Sequence, residues 1–307
     1  MFAAPPVIDT EVFATIPEEL RIHGRTNQWI DVQRGGADTG CFLEGPSFDR
    51  DGNLFVVDVA WGRIFRISPD GKKVELFVQY DGEPNGLKIH RDGRIFVADY
   101  RHGIMVIDPD TRVVKPHLDR AILDRFKGIN DLVFASNGDL YFTDQGMTGM
   151  HDPTGCLYRL ETNGRLVRLL NNIPSPNGLV LSLDESAVFV NATRGNSVWR
   201  VPLWPNNRLP YKVGIFLQLS GALGGPDGLA IDSAGNLAVA HIGLGAVWLF
   251  SRLGEPLARI NSCKGLATTN LAYGGPDNRT LYITESESGS ILKARLDTPG
   301  QPMFSHA

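Results

Sequence analysis

Cysteine is scarce in this chain of 307 residues: Cys41, Cys156 and Cys263 are odd in number and widely spread. A disulfide framework has no basis in that pattern, and a reducing compartment is expected. Positive charge is not in excess either. Thirty Lys and Arg against 34 Asp and Glu give a net charge of −4 and a pI near 6.0, so there is no basic footprint for nucleic acid. No run of about 18 apolar residues occurs, which argues against a membrane span. The opening Met1-Phe2-Ala3-Ala4-Pro5-Pro6 has neither the basic nor the apolar part of a secretory leader. A soluble cytoplasmic protein is the expectation. His102, His117, His151 and His241 show no metal-ligand spacing, and no Gly-x-Ser-x-Gly elbow stands between a strand and a helix. Gly224-Gly225-Pro226 leads into a strand and offers no helix N-terminus for phosphate.

What the chain does have is a repeat. An oxygen-bearing side chain marks the same point of a short pattern at Glu44, Asn85, Asn130, Asn177, Asp227 and Asn270. The pattern is clearest as Pro84-Asn85-Gly86-Leu87, a turn at Asp92-Gly93, and Ile95-Phe96-Val97-Ala98-Asp99. Steps of 41, 45, 47, 50 and 43 residues separate the marks, the period of a four-stranded propeller blade. Within one repeat, 86–90, 94–99, 103–108 and 113–118 read as four strands divided by turn residues. The sequence therefore predicts an all-β, six-bladed β-propeller, one domain over residues 1–307. The best helical candidate is 118–126.

A propeller must close, because an open last blade would expose unpaired backbone. After Asn270 the chain supplies three strands and ends, while 11–16 precedes the first full repeat. The N- and C-terminal segments are expected to share one blade. If 74–78 or another strand is out of phase, closure differs.

The first strand of each blade lines the central channel, so the six marked residues converge on one mouth. The ends of the second strands, including Tyr100-Arg101-His102, Gln145-Gly146-Met147, Ala192-Thr193-Arg194 and His241-Ile242, flank that mouth. Asn, Asp or Glu before Gly is ordinarily a turn former. Six in phase, all carboxylate or carboxamide, are something else: clustered oxygens with two carboxylates are costly to bury without a cation. Two formal charges match one divalent ion, and oxygen donors without His or Cys favour Ca²⁺ over a His/Cys zinc site; Mg²⁺, Mn²⁺ and Fe²⁺ fit the same set with waters.

Glu44-Gly45-Pro46, Asn130-Asp131 followed by Gly138-Asp139-Leu140-Tyr141-Phe142-Thr143-Asp144, Pro176-Asn177-Gly178, and Pro226-Asp227-Gly228-Leu229 with Asp232 and Gly235-Asn236 resemble the gluconolactonase, regucalcin (senescence marker protein) and luciferin-regenerating-enzyme family. The likeness spans about Glu44 to Thr284. It implies a divalent metal in the channel, held by Glu44, Asn177 and Asp227, with Asn130 a fourth ligand or a substrate contact. It also implies hydrolysis of a lactone, the ion polarising the ring carbonyl and activating water, with Asp227 as general base and Asn130 and Asn177 orienting substrate. Asn85, Asn270, Arg101, Arg194 and His241 are further candidates for substrate contact, and Trp61, Tyr100 and Met147 for an apolar wall. Where the sugar-lactone branch has an arginine two positions before the asparagine of the Asn-Asp motif, this chain has Gly128 beside Lys127, so sugar specificity does not carry over. Organophosphate hydrolysis, the opening of other cyclic carbonyl compounds, and a non-catalytic calcium-binding or protein-interaction propeller are the competing readings. Oligomeric state is not legible.

Overall fold

A computed structural model describes residues 4–121 and 123–306. Six four-stranded antiparallel units follow one another, and their innermost strands are Leu43–Phe48, Pro84–Ile89, Ile129–Phe134, Pro176–Leu181, Gly225–Ile231 and Thr268–Gly274. Each innermost strand packs on the next, and the sixth returns to the first, so the blades form a closed ring. The protein is a six-bladed β-propeller. Among the described residues its apolar interior is divided into six clusters, one at each blade interface. Phe55 and Val57 of blade 1, for example, meet Leu87 and Val97 of blade 2. Alternation along each strand turns successive side chains toward the two neighbouring blades, so both faces are apolar and buried.

Closure follows the expected route and adds to it. Strand β1 (Val7–Asp9) pairs in parallel with the outer strand Pro256–Asn261 of blade 5. Strand β2 (Glu11–Thr15) is the outer strand of blade 6, antiparallel to Ser290–Arg295. The N-terminal segment thus covers the edges of two adjacent blades, whereas the sequence predicted one.

The helical expectation for 118–126 is corrected. Arg120–Ala121 and Asp124–Arg125 form a small hairpin of their own, and Ile122 within that stretch lies outside the described residues. Arg120, Asp124 and Arg125 are exposed there, so the stretch presents little apolar face for a helix to bury. The α-helix is elsewhere, α1 (Gln28–Arg34), between β2 and blade 1. Asn27 caps it by accepting from the Ile30 N–H at 3.0 Å, and Gly35 ends it at φ +61°. Among the described residues no helix is long and apolar enough to cross a membrane.

The two ends of the channel differ. On the side of the hairpin turns, residues from all six innermost strands surround a cavity of about 130 Å³ that Gln301, Pro302, Met303 and Phe304 cover. Phe304 stacks on Phe134 at 4.9 Å, and the Ser305 hydroxyl donates to the Phe48 carbonyl at 3.1 Å. The C-terminal segment is the floor of the channel.

Candidate metal centre

At the other mouth each innermost strand carries the same irregularity. Between Glu44 and Ser47, Pro84 and Leu87, Ile129 and Leu132, Pro176 and Leu179, Pro226 and Leu229, and Thr268 and Leu271, three steps on the inner strand oppose two on its partner. A bulge of one extra residue re-aims the side chain at that point. Five of the marked residues hold the first place of the bulge, whereas Asn270 lies one residue further along, where blade 3 has Asp131, and Thr269 takes the marked place in blade 6. Glycine follows four of them, and it is needed for closeness: a β-carbon on Gly178 would run into the backbone of Asp227 and Gly228 in the next blade. Blade 3 has Asp131 in that place. It occupies the room left by Gly86.

A cavity of about 310 Å³ opens here, with Glu44, Asn85, Asn130, Asn177 and Asp227 lining it. Asn270 is not on its wall. It lies beneath, donating from Nδ2 to Glu44 Oε2 at 2.9 Å and reaching Asp131 Oδ2 at 3.5 Å, while its Oδ1 accepts from the Leu271 N–H. Arg194 lines the same cavity. Arg101 is turned to Asp81, 2.5 Å away, and lines neighbouring depressions instead. His241 is fully buried, its Nδ1 accepting from Trp248 Nε1 at 3.3 Å, and lies off the cavity wall. Of the expected apolar wall, Tyr100 is present, its ring filling the space beside Gly128, and Trp61 and Met147 are not on the lining. Lys127 bonds to Thr154, away from the mouth.

The electrostatics of the cluster follow from crowding. Burial pushes the Glu44 carboxyl well above the usual carboxylate range, and the charge of Asp227 pushes it further. Asp227 is raised by burial to about 8, with Asp131 adding to the rise and the Asn177 amide and Arg194 opposing it. Asp131 is raised by burial and restrained by Lys88 below it. Asn130 Nδ2 donates to Gln145 Oε1 at 3.0 Å, and Gln145 Nε2 donates to Ser175 Oγ at 3.0 Å. That relay leaves the Asn130 oxygen facing the cavity. The side-chain oxygens of Asn85 and Asn130 are buried without a hydrogen-bond partner.

Two mutually repelling carboxylates beside two orphaned carbonyl oxygens form a donor set suited to a hard cation. Among the described residues no three His, Cys, Asp or Glu side chains group closely enough to hold a metal by themselves, so any such site depends on the amides. The motif reading placed Gln145 at the mouth and Asp131 in a motif without giving either a role in the site, and it did not foresee α1, which brings Trp29, Gln33 and Arg34 to the cavity wall. The signal for Asp131 was present as the one acidic residue in a position otherwise mostly glycine.

Comparison with known proteins agrees with the geometry. The family model described as the SMP-30/Gluconolactonase/LRE-like region matches residues 42–287. Lactonase drp35 of Staphylococcus aureus is 33% identical over 274 residues, covering 84% of this chain and 78% of its own. Lactonase drp35 of Staphylococcus epidermidis is 30% identical over 310 residues, covering 94% and 90%. In fold, a regucalcin from Agrobacterium tumefaciens described as a calcium-binding protein superposes with a TM-score of 0.79 at 21% identity, covering all of both chains. A gluconolactonase from Xanthomonas campestris superposes at 0.73 and 21%, covering 95% and 99%. With its motifs, its ring of blades and most of its length matched, the chain belongs to the SMP-30/gluconolactonase/LRE-like family.

Proposed function

We propose that this protein is a lactonase of the gluconolactonase-like type, opening a cyclic ester with a divalent cation held by Glu44, Asn130, Asn177 and Asp227, Ca²⁺ favoured. The observation that carries the reading is the pairing of buried, repelling carboxylates with unpartnered amide oxygens on the wall of one cavity. The lactonases among its relatives supply the reaction class. When bound, the cation supplies Lewis acidity toward the ring carbonyl and makes water more acidic.

The chain's own groups divide the rest of the work. Asp227 takes a proton from the attacking water; the water oxygen bonds to the acyl carbon, the acyl–oxygen bond of the ring breaks, and the ring oxygen leaves as a hydroxyl with one proton. Asn270 holds the Glu44 carboxylate from beneath. The Gln145–Ser175 relay keeps the Asn130 amide nitrogen occupied, so its free oxygen suits a cation better than it suits a developing oxyanion. Asn85 offers a second free oxygen, placed to accept from a substrate or a water.

The test is turnover of a panel of γ- and δ-lactones, sugar and aliphatic, by chelator-treated protein before and after addition of Ca²⁺, Mg²⁺, Mn²⁺, Zn²⁺ or Fe²⁺. Cation-restored hydrolysis is expected. Tight cation binding with no turnover on lactones would transfer the reading to a phosphotriester substrate or a binding role.

A further inference from the structure

The cavity at the mouth carries more positive charge than the motif ring accounts for. Arg34, from the last turn of α1, and Arg194, from the turn after the second strand of blade 4, both line it. Neither has a carboxylate within ion-pair distance among the described residues, although other arginines of the fold do, such as Arg63 with Asp58 at 2.6 Å and Arg101 with Asp81. Each is held in place by other means. The Arg34 guanidinium lies over the Phe42 ring at 5.5 Å, and Arg194 donates to the Leu223 carbonyl at 3.5 Å. Arg194 shares its cavity wall with Asp227. The one acid on the upper wall is Glu287, and it is engaged by the Leu266 N–H at 2.6 Å. The wall mixes aromatic and aliphatic side chains, among them Trp29, Phe42 and Leu223, with polar ones, Gln33, Gln145 and Thr193.

We infer that the substrate is a lactone that carries a carboxylate substituent, which Arg34 and Arg194 recognise while the ring lies against the aromatic wall. The inference rests on the lactonase reading and narrows it. The wall also offers Gln33, Gln145, Ser175 and Thr193 to hydroxyl groups, so what points to a charged substituent is the pair of guanidinium groups. A guanidinium free of an internal partner pairs in two-pronged fashion with a carboxylate, and the pairing is strengthened inside a partly dry cavity.

The experiment compares a five-membered lactone bearing a carboxylate on the carbon next to the ring oxygen with its methyl ester, on cation-loaded wild type, Arg34→Met, Arg194→Met and Glu287→Gln. The readout is the ratio of kcat/KM for acid over ester. Wild type should favour the acid at least about tenfold, each arginine variant should lower the ratio by about tenfold, and Glu287→Gln should raise it. Circular dichroism and thermal melts establish that the variants fold. A ratio at or below one, or a ratio that neither arginine variant moves, overturns the inference and leaves the arginines to the product carboxylate that every lactone yields. A second arm separates this outcome from failure of the lactonase reading: calorimetric binding of the unhydrolysable cyclic-ether carboxylate and of its methyl ester. Preference for the carboxylate, lost in both arginine variants, supports the anion site even if no lactone turns over. Equal binding of acid and ester overturns it.

Discussion

Asp227 stands between groups that pull its proton affinity in opposite directions: burial and Asp131 raise it, the Asn177 amide and Arg194 lower it. Asp227→Asn keeps the shape and removes the carboxylate proposed as the base. It should cut lactone turnover by about a hundredfold or more, with cation affinity followed in parallel by calorimetry. Unchanged turnover in cation-loaded variant would remove Asp227 as the base. Asn270 predicts a different signature, because it touches Glu44 and does not line the cavity. Asn270→Ala should weaken the cation by about ten- to a hundredfold and leave kcat at saturating cation close to wild type. Loss of kcat with unchanged cation affinity would place Asn270 against substrate instead. At this scale the sequence was informative about which residues belong to the ring, since a carboxylate or carboxamide recurs in phase. It was silent about depth. That Asn270 sits one residue further along its bulge and turns under its neighbour, that Arg101 is taken by Asp81, and that His241 accepts from Trp248 on the adjacent strand depend on register and side-chain contacts that no repeat pattern encodes.

Strands were legible because apolar alternation and turn residues mark them six times over, with Asp-Gly in blades 1 and 2 and related turn formers in the rest, and the turn chemistry is visible in the structure: Asp232 accepts from the Ala234 and Asn236 N–H groups at 2.9 and 2.8 Å. The bulge at each ring residue was not legible, since one extra residue in a strand alters pairing without altering composition. Helix α1 was missed for a related reason. It is seven residues long, buries only Trp29 and Ile30, and owes its place to a cap and to tertiary contacts. Asn27 both caps it and donates from Nδ2 to the Ala60 carbonyl at 2.6 Å. Asn27→Ala should therefore cost about 1 to 2 kcal/mol in chemical denaturation. Because α1 carries Gln33 to Met147, 3.2 Å away across the mouth, and Arg34 to the cavity, the same variant should raise KM more than it lowers kcat. An unchanged KM would show that the wall does not depend on how α1 is seated.

Across the whole molecule, the crowded carboxylates make stability depend on pH and cation together. The folded-state pKa of Asp227, about 8, and that of Glu44 lie above their unfolded values, so the cation-free fold binds protons that the unfolded chain has released. The Asp227 contribution is fully present below about pH 4 and is lost as pH rises through about 8, and that of Glu44 is likewise lost as pH rises. In chelator, Tm should fall over that window. Ca²⁺ held as proposed requires the ionised forms, so the Tm increment it produces should grow over the same window; an increment independent of pH would separate the cation from these carboxylates. The ring closure makes a second demand. Removing residues 1–15 strips the outer edges of blades 5 and 6, and should lower Tm on the order of 10 °C and promote aggregation through the exposed strands, measured by melting and light scattering. This closure also orders events in the cell. Strands β1 and β2 are made before their partners at Pro256–Asn261 and Ser290–Arg295, and the Thr10 hydroxyl waits for a carbonyl 251 residues downstream. Until those partner strands are made, β1 and β2 remain two unsatisfied strand edges, a state suited to chaperone capture.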